Sequence, residues 1–378
     1  MLLNERKADV VTGSNNLEDL HTLKKFPVFM GSVEHDQSKD LVADMSWSIS
    51  RDSGLIQLKN LLPLDVLYQS QTTTSAVGAI WMSHHKAFAQ FIFQYNPSSA
   101  LELGGAHGVL ANEFHALANI PWTILEPNPS PTDDCHAHFI KGFFDDKFEF
   151  DSPFDAVIHS HVFEHLYEPS QFMKQLKSFI GESKLMIFSL PHLEAWLAKK
   201  YTNCINFEHS VFLTEPYVEY LLAKYGFRLL KKEYFNDGHS IFYATVKDSS
   251  VKSTELPLYL YEKNKKLYMD FVCYHEMLIS DLNKMLEIST SPVYLFGAHV
   301  FAQYLIAFGL NTTNIVSLLD NDKRKQGRRL YGTNLMVQSP AVLLEDNSPV
   351  VILKAGVYNN EIKADILKNI NNSTVFVE

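Results

Sequence analysis

Gly104, Gly105 and Gly108 fall within five positions, just behind the acid Glu102, in the run Leu101-Glu102-Leu103-Gly104-Gly105-Ala106-His107-Gly108. Glycine lets a backbone turn sharply and approach a ligand that a side chain would hold off. About twenty residues further on, the apolar run Trp122-Thr123-Ile124-Leu125 ends in a second acid, Glu126. A glycine turn, with an acid closing the next strand, is how a nucleoside is held at the carboxyl edge of a parallel sheet. Dinucleotide sites need a further glycine at a fixed place, for packing around a pyrophosphate. Here the turn opens with an acid, which suits a positively charged sulfonium better than a phosphate.

The elements that must position this turn are legible on both sides of it. Residues 77–94 place Ile80, Trp81, Ala87, Phe88, Phe91 and Ile92 at helical spacing. Beyond the turn, strand and helix signals alternate: strands at 156–158, 184–189 and 241–246, helices at 170–179 and 218–224, the last closed by Gly226. Such alternation implies an α/β fold with a mostly parallel sheet and helices on both faces. Residues 247–254 read as a linker. A long amphipathic helix is predicted over 260–288, from Leu267, Phe271, Leu278, Leu282 and Leu286. A second strand–glycine–helix unit follows at Val293–Ala298, then strands ending at Asp320 and at Leu353. Phe296-Gly297-Ala298-His299 has a single glycine, so no dinucleotide is expected there. Residues 1–25 are polar and expected to be poorly ordered; 26–75 read as a small β-rich unit.

With 378 residues the chain should hold two or three domains. A net charge of −10 argues against a nucleic-acid or anionic-membrane surface as the main partner. Cys135, Cys204 and Cys273 form no CxxC pair, so neither a disulfide framework nor a zinc site is indicated, and a reducing cytoplasm is the simplest compartment. No apolar run reaches the ~18 residues of a membrane span, and the polar start shows no signal peptide.

Three motifs carry a resemblance. Leu101 to Gly108, the Ile-Leu-Glu-Pro-Asn-Pro run through Glu126 and Pro127, and Phe154 to Phe172 are similar, in order and spacing, to motifs of the class I S-adenosylmethionine-dependent methyltransferases. The resemblance implies that Gly104, Gly105 and Gly108, with Glu102, lie at the methionine part of the cofactor. It implies that Glu126, beside Pro127, takes the ribose hydroxyls and that Phe143 or Phe144 lies near adenine. Ser160 and His161 would line the edge of the transfer site.

The chain more narrowly resembles the sugar C-methyltransferases that act on nucleotide-linked deoxy-keto-sugars. The similarity rests on the segments near Phe26 and Ser50, on Trp81 to Phe88, and on the C-terminal runs Tyr294 to Leu305 and Leu318 to Gly332. It implies a small N-terminal subdomain (1–75), a methyltransferase domain (76–250) and a C-terminal Rossmann-like domain (251–378). That family carries zinc-binding cysteine pairs where this chain has Phe26, Phe29, Ser50 and Ser53, a set that cannot hold the metal. The subdomain is expected to have replaced its metal by apolar packing, and no other metal site is expected. Glu208 and His209 match the family's Glu-His pair, and His165 another active-site histidine. The implied chemistry is removal of a proton beside a ketone by neutral His209, oriented by Glu208 and assisted by His165; His165 could equally brace the fold.

Two departures bear on that chemistry. Gln71-Thr72-Thr73-Thr74 stands where the family has a tyrosine-rich segment, and Asn206 replaces the tyrosine before the Glu-His pair. An O- or N-methyltransferase, needing a base and placement, is therefore an alternative, and a catalytically silent cofactor-binding scaffold is another. Asn206, Tyr201 and Arg328 are candidate substrate contacts, the arginine for a sugar diphosphate. His84 and His85 read as solvated, and His107 as a packing or capping residue. A monomer or homodimer is expected.

Overall fold

The computed structural model describes residues 3–67 and 78–378. Gln71 to Thr74 lie outside the described residues. Strands β1 (Leu17–Pro27), β2 (Val42–Ser50) and β3 (Ile56–Leu58) form an antiparallel sheet in that order. Along β2 the side chains of Ala43, Met45, Trp47 and Ile49 are buried, the two-residue period of a strand with one packed face. The polar first 25 residues are not loose. Residues 17–25 belong to β1. Upstream, Arg6 donates from Nη1 to the Ser210 carbonyl (2.8 Å) and from Nη2 to that of Tyr167 (2.6 Å). Composition marks such a stretch as solvated, but its charge finds partners far along the chain.

Nor do the four positions aligned with zinc ligands converge. Ser50 pairs with Leu17 and Phe26 with Ala43, so Ser50 and Phe26 sit toward opposite ends of the β1–β2 ladder. Phe26 packs edge-on against Tyr304 (5.0 Å) and Phe207 (6.1 Å), and Phe29 against Tyr331 (5.6 Å). Ser50 Oγ accepts from the Ser53 amide (3.3 Å), and the Ser53 hydroxyl bonds the Asp9 carboxylate. These residues serve a shared aromatic core at one end and a tight turn at the other.

Helix α1 (Ala79–Phe93) leads into the central sheet. Its elements are β4 (Ala100–Leu103), α2 (Val109–His115), β5 (Trp122–Glu126), β6 (His138–Lys141), β7 (Ala156–Ser160), α3 (Pro169–Phe179), β8 (Leu185–Pro191), α4 (Leu193–Ala198), α5 (Glu215–Lys224), β9 (Phe227–Phe235) and β10 (Ser240–Lys247). The strand order is β9-β10-β8-β7-β4-β5-β6. β8, β7, β4, β5 and β6 run parallel, and β9 and β10 close one edge antiparallel. All four residues of β4 are buried, as in a strand covered on both faces. Phe88, Ile92, Leu110 and Phe114 of α1 and α2 cover one face. Phe172, Met173, Val218 and Leu221 of α3 and α5 cover the other. β6 and β9 carry mixed polar runs at the edges and were not predicted.

Helix α6 (Leu260–Ile288) matches its predicted span and joins the layers. Its buried stripe begins at Leu260 in the central core and ends at Leu282 and Leu286 in the C-terminal one. There β11 (Val293–Phe296), α7 (Val300–Ala307), β12 (Ile315–Leu319), β13 (Val337–Gln338), β14 (Val350–Leu353), α8 (Asn359–Asn369) and β15 (Val375–Val377) build a parallel sheet in the order β13-β12-β11-β14-β15. Asp40, before β2, accepts from both Arg329 Nη1 and Nη2 at 2.7 Å and so ties the N-terminal sheet to this one. No described helix is long and apolar enough to cross a membrane.

Candidate active site

The chain leaves β4 through Gly104 and Gly108, both at φ +76° in the left-handed region that favours glycine. A Cβ on Gly105 would stand 2.7 Å from Ile124 Cγ2 and 2.9 Å from Glu102 Cδ, so the turn lies directly on the layer beneath it. The Ala106 amide donates to Glu126 Oε2 (3.1 Å) and the Asn128 amide to Oε1 (3.0 Å). Glu126 is thereby held at the turn, and each oxygen keeps a lone pair for a hydroxyl. Amides of Ser130 and Thr132 clamp the outside, on the carbonyls of Ala106 (3.3 Å) and His107 (3.1 Å).

Glu102, expected at the cofactor, lines the cavity but is buried. Its carboxylate is buried and accepts from Trp122 Nε1 (2.8 Å). Burial pushes it up to about 7, against the pull of the Trp122 bond and with a smaller push from Glu126. It supports the turn from beneath.

Beside the turn lies a cavity of about 330 Å³. Gly104, Gly105 and His107 line it from the turn; Ser160 and His161 from the end of β7; Trp81, Trp196, His165, Asn206, Glu208 and His209 from the far side. Met30, His299, Phe301 and Tyr358 reach it from the N-terminal and C-terminal layers. Trp81 Nε1 donates to the Tyr358 hydroxyl (2.9 Å), so a bond between layers closes part of the wall.

Histidines dominate this wall. His161 adopts φ +52°, uncommon for a side chain outside glycine, and places Nε2 3.0 Å from Ser240 Oγ and Nδ1 3.2 Å from Glu164 Oε1. Glu164 and His165 sit on the short 3-10 turn Phe163–His165. Asn206 Oδ1 accepts from the amides of Glu208 (2.8 Å) and His209 (3.0 Å), folding an Asx-type turn that presents His209. His209 Nδ1 lies 3.2 Å from the Cys204 carbonyl. A carbonyl accepts only, so this contact assigns the ring proton to Nδ1 and leaves the Nε2 lone pair free. The rings of His165 and His209 are 4.8 Å apart, and ligand atoms of Glu164, His165 and His209 lie within 4.8 Å of one another.

Glu164 is fully buried with no side-chain hydrogen bond of good geometry beyond the His161 contact, and burial pushes its carboxyl up. Burial holds His209 below the usual imidazole range, with Glu164 the main opposing influence. Burial and then His209 hold His165 down at about 4. Glu164 therefore joins Glu208, which also lines the cavity, as a carboxylate beside His209. Sequence reasoning missed it. The signal was a repeated tripeptide, Phe-Glu-His, at 163–165 and again at 207–209.

Other sequence candidates fall elsewhere. Phe144 packs in the core on Phe148, Phe172 and Phe179, while Phe143 is 58% exposed; neither lines the cavity. Pro127 follows Glu126 outside the lining. Arg328 pairs with Glu34 (2.8 Å) away from the cavity. Tyr201 lies against Gly356, whose Cβ would meet its ring at 3.3 Å, and is also outside the lining. Asn206 lines the cavity but commits its carbonyl oxygen to the turn. His84 is not solvated. It is buried among Phe88, Phe235, Phe242 and His161 with both ring nitrogens unpartnered, because α1 turns that face onto β10. His85 lines the cavity, and burial lowers it to about 4.

Residues 81–232 match the family model of a methyltransferase domain. No curated protein matches the chain in sequence. Solved structures similar to part of it include the N-methyltransferase NodS from Bradyrhizobium japonicum with S-adenosylhomocysteine (12% identity, 45% of this chain and 89% of that one, TM-score 0.36). A 1,6-didemethyltoxoflavin-N1-methyltransferase from Burkholderia thailandensis is another (13% identity, 49% and 85%, TM-score 0.38). The plantazolicin methyltransferase BpumL with S-adenosylhomocysteine is a third (11% identity, 44% and 83%, TM-score 0.35). The central sheet thus has the class I methyltransferase fold, and S-adenosylmethionine is its cofactor. The turn fits that group: the close approach of Gly105 and the pre-set Glu126 are what an adenosyl moiety needs, and no pyrophosphate-binding glycine pattern is present.

Proposed function

We propose that the protein transfers a methyl group from S-adenosylmethionine to a sugar, nucleotide-linked, at a carbon next to a ketone. Gly104 to Gly108, Glu126 and Ser160 would hold the cofactor, which when bound supplies an electrophilic methyl group. His209 takes the acceptor proton on Nε2; its Nδ1–H stays on the Cys204 carbonyl, so the ring cannot swing while the proton moves. Glu164 faces the imidazolium that forms and offsets its charge. His165 confines the ring from the other side. The N-terminal (1–75) and C-terminal (251–378) parts serve as walls that exclude water and orient the acceptor.

One observation carries the sugar assignment. His85 Nδ1, Trp196 Nε1 and Asn203 Oδ1 belong to cavity-lining residues and are buried without a hydrogen-bond partner. Buried polar atoms need partners, and a mixed donor and acceptor wall suits a polyhydroxylated ligand. Asn206 favours a second reading. With its oxygen committed to the turn, nothing at that position stands in for a phenol that would support an enolate, which suits a hydroxyl acceptor.

Calorimetry with S-adenosylmethionine is the first test, and absence of binding by folded protein would overturn the methyl-transfer reading. Incubation in heavy water with a panel of nucleotide-linked keto-sugars is the second. Deuterium should enter the carbon beside the ketone, and His209→Ala should abolish that exchange. Cofactor binding without exchange on any keto-sugar would transfer the assignment to an oxygen or nitrogen acceptor.

A further inference from the structure

We propose that Glu164, His165 and His209 form a binding site for one divalent transition-metal ion of the zinc class, held by two imidazoles and a carboxylate and open to the cavity. Two histidines and a glutamate are a donor set suited to zinc, and three protein ligands leave a position for water or a substrate oxygen. The ligand atoms already lie within 4.8 Å of one another. Small side-chain rotations therefore suffice to close them on an ion at the usual ~2.0–2.2 Å.

Three further features point the same way. Glu164 is fully buried, and its oxygens make no side-chain hydrogen bond of good geometry, the His161 contact to Oε1 being an ion-pair distance of 3.2 Å. A buried carboxylate compensated only weakly, by the His161 contact at 3.2 Å, is costly, and a cation in contact with it lowers that cost. Both imidazoles are oriented through backbone: His209 Nδ1 against the Cys204 carbonyl at 3.2 Å, and His165 by a hydrogen bond with the Glu208 backbone. A histidine that binds a metal with one ring nitrogen commonly donates from the other to a carbonyl, which sets its tautomer and angle. Finally, His161 Nδ1 stands 3.2 Å from Glu164 Oε1 and so steadies the carboxylate from behind. All three proposed ligands line the cavity, which gives an ion a path of entry.

This site goes beyond the methyl-transfer reading and has a consequence for it. The metal would take the same Nε2 lone pair that His209 needs as a base, so the loaded protein should lose deuterium exchange. That consequence rests on the proposed function; the site itself does not.

The test uses the full chain, stripped with a chelator and titrated with Co²⁺ alone, followed by displacement with Zn²⁺. Visible d–d absorption should saturate at one equivalent and vanish on addition of Zn²⁺. Glu164→Gln and His209→Ala should each weaken Co²⁺ binding by more than ~100-fold, beyond the ~10–100-fold expected from loss of a supporting partner. Both variants should still bind S-adenosylhomocysteine in calorimetry, which shows that they are folded. His115→Ala is the control, because the His115–His136 stack (3.8 Å), with His136 exposed, is a histidine pair outside the cavity that could attract a metal. Absence of a cobalt spectrum, a spectrum unchanged in both site variants, or one lost in His115→Ala would each overturn the proposal. None of these outcomes bears on cofactor binding or on exchange by the metal-free protein, so the two readings fail separately.

Discussion

Gly105 has no room for a methyl group. Its Cβ would lie within 2.7 Å of Ile124 and 2.9 Å of Glu102, both fixed in the sheet. Gly105→Ala should therefore lift the turn, weakening S-adenosylhomocysteine by ~10-fold or more in calorimetry and costing about 1–3 kcal/mol in stability. Unchanged affinity would mean that the turn does not bear on the cofactor. Glu102 below it makes a pH-dependent prediction. Burial raises its folded pKa from 4.5 to about 7, so its protonated form is the favoured one in the fold. Its contribution is complete below 4.5 and is lost as pH rises through about 7. Glutamine cannot ionise. Glu102→Gln should gain about 3 kcal/mol relative to the native chain between pH 4.5 and pH 8, read from urea unfolding at each pH. A difference that does not change with pH would show that the carboxyl is not held in a dry site.

At the scale of elements, α6 and the central strands declared themselves through periodicity, since a 3.6-residue stripe and fully apolar runs are local properties. The N-terminal sheet did not. Its cohesion comes from partners more than a hundred residues away, such as Arg6 on Ser210, and no local pattern announces those. The same holds for the tie between Asp40 and Arg329, both nearly fully buried, with further bonds to Asp40 from the Gly332 amide (2.7 Å) and His35 (3.0 Å). Asp40→Asn should leave a buried guanidinium unpaired and destabilise the protein by about 3–5 kcal/mol in chemical denaturation. The paired change Asp40→Asn with Arg329→Met should recover part of that loss. If the single variant costs nothing, the tie does not hold the layers together.

The whole molecule carries an unusual load of buried neutral histidine. His159, on β7, has both ring nitrogens unpartnered and stacks on Phe188 (4.8 Å); burial lowers it to about 3. His275, on α6, is lowered to about 4, mainly by burial, with the Phe271 carbonyl opposing. An unfolded histidine titrates at 6.5, so the stability each contributes is full above that pH and is lost as pH falls toward the folded value. Each should lose about 2 kcal/mol between pH 6.5 and pH 5. His159→Phe, which keeps the stack and removes the orphaned nitrogens, should be neutral or stabilising at pH 8 and should flatten the acid limb of the urea midpoint by that amount. A limb of unchanged slope would place the titration elsewhere.

The chain alone determined the glycine turn, the acid that follows it and the alternation that builds a parallel sheet, while the class I methyltransferase fold and its cofactor were what the resemblance of three motifs implied. The turn and the alternation follow from backbone sterics and hydrophobic period, which act over a few residues. Tertiary structure decided which groups meet. It set Glu164 beside His209, buried Glu102 beneath the turn, buried His84, and sent Phe144, Tyr201 and Arg328 to packing or surface. The physical reason is that burial and charge pairing depend on which elements are brought face to face, and the loops at 161–165 and 206–209 become neighbours only when β7 and the segment after α4 pack around one cavity.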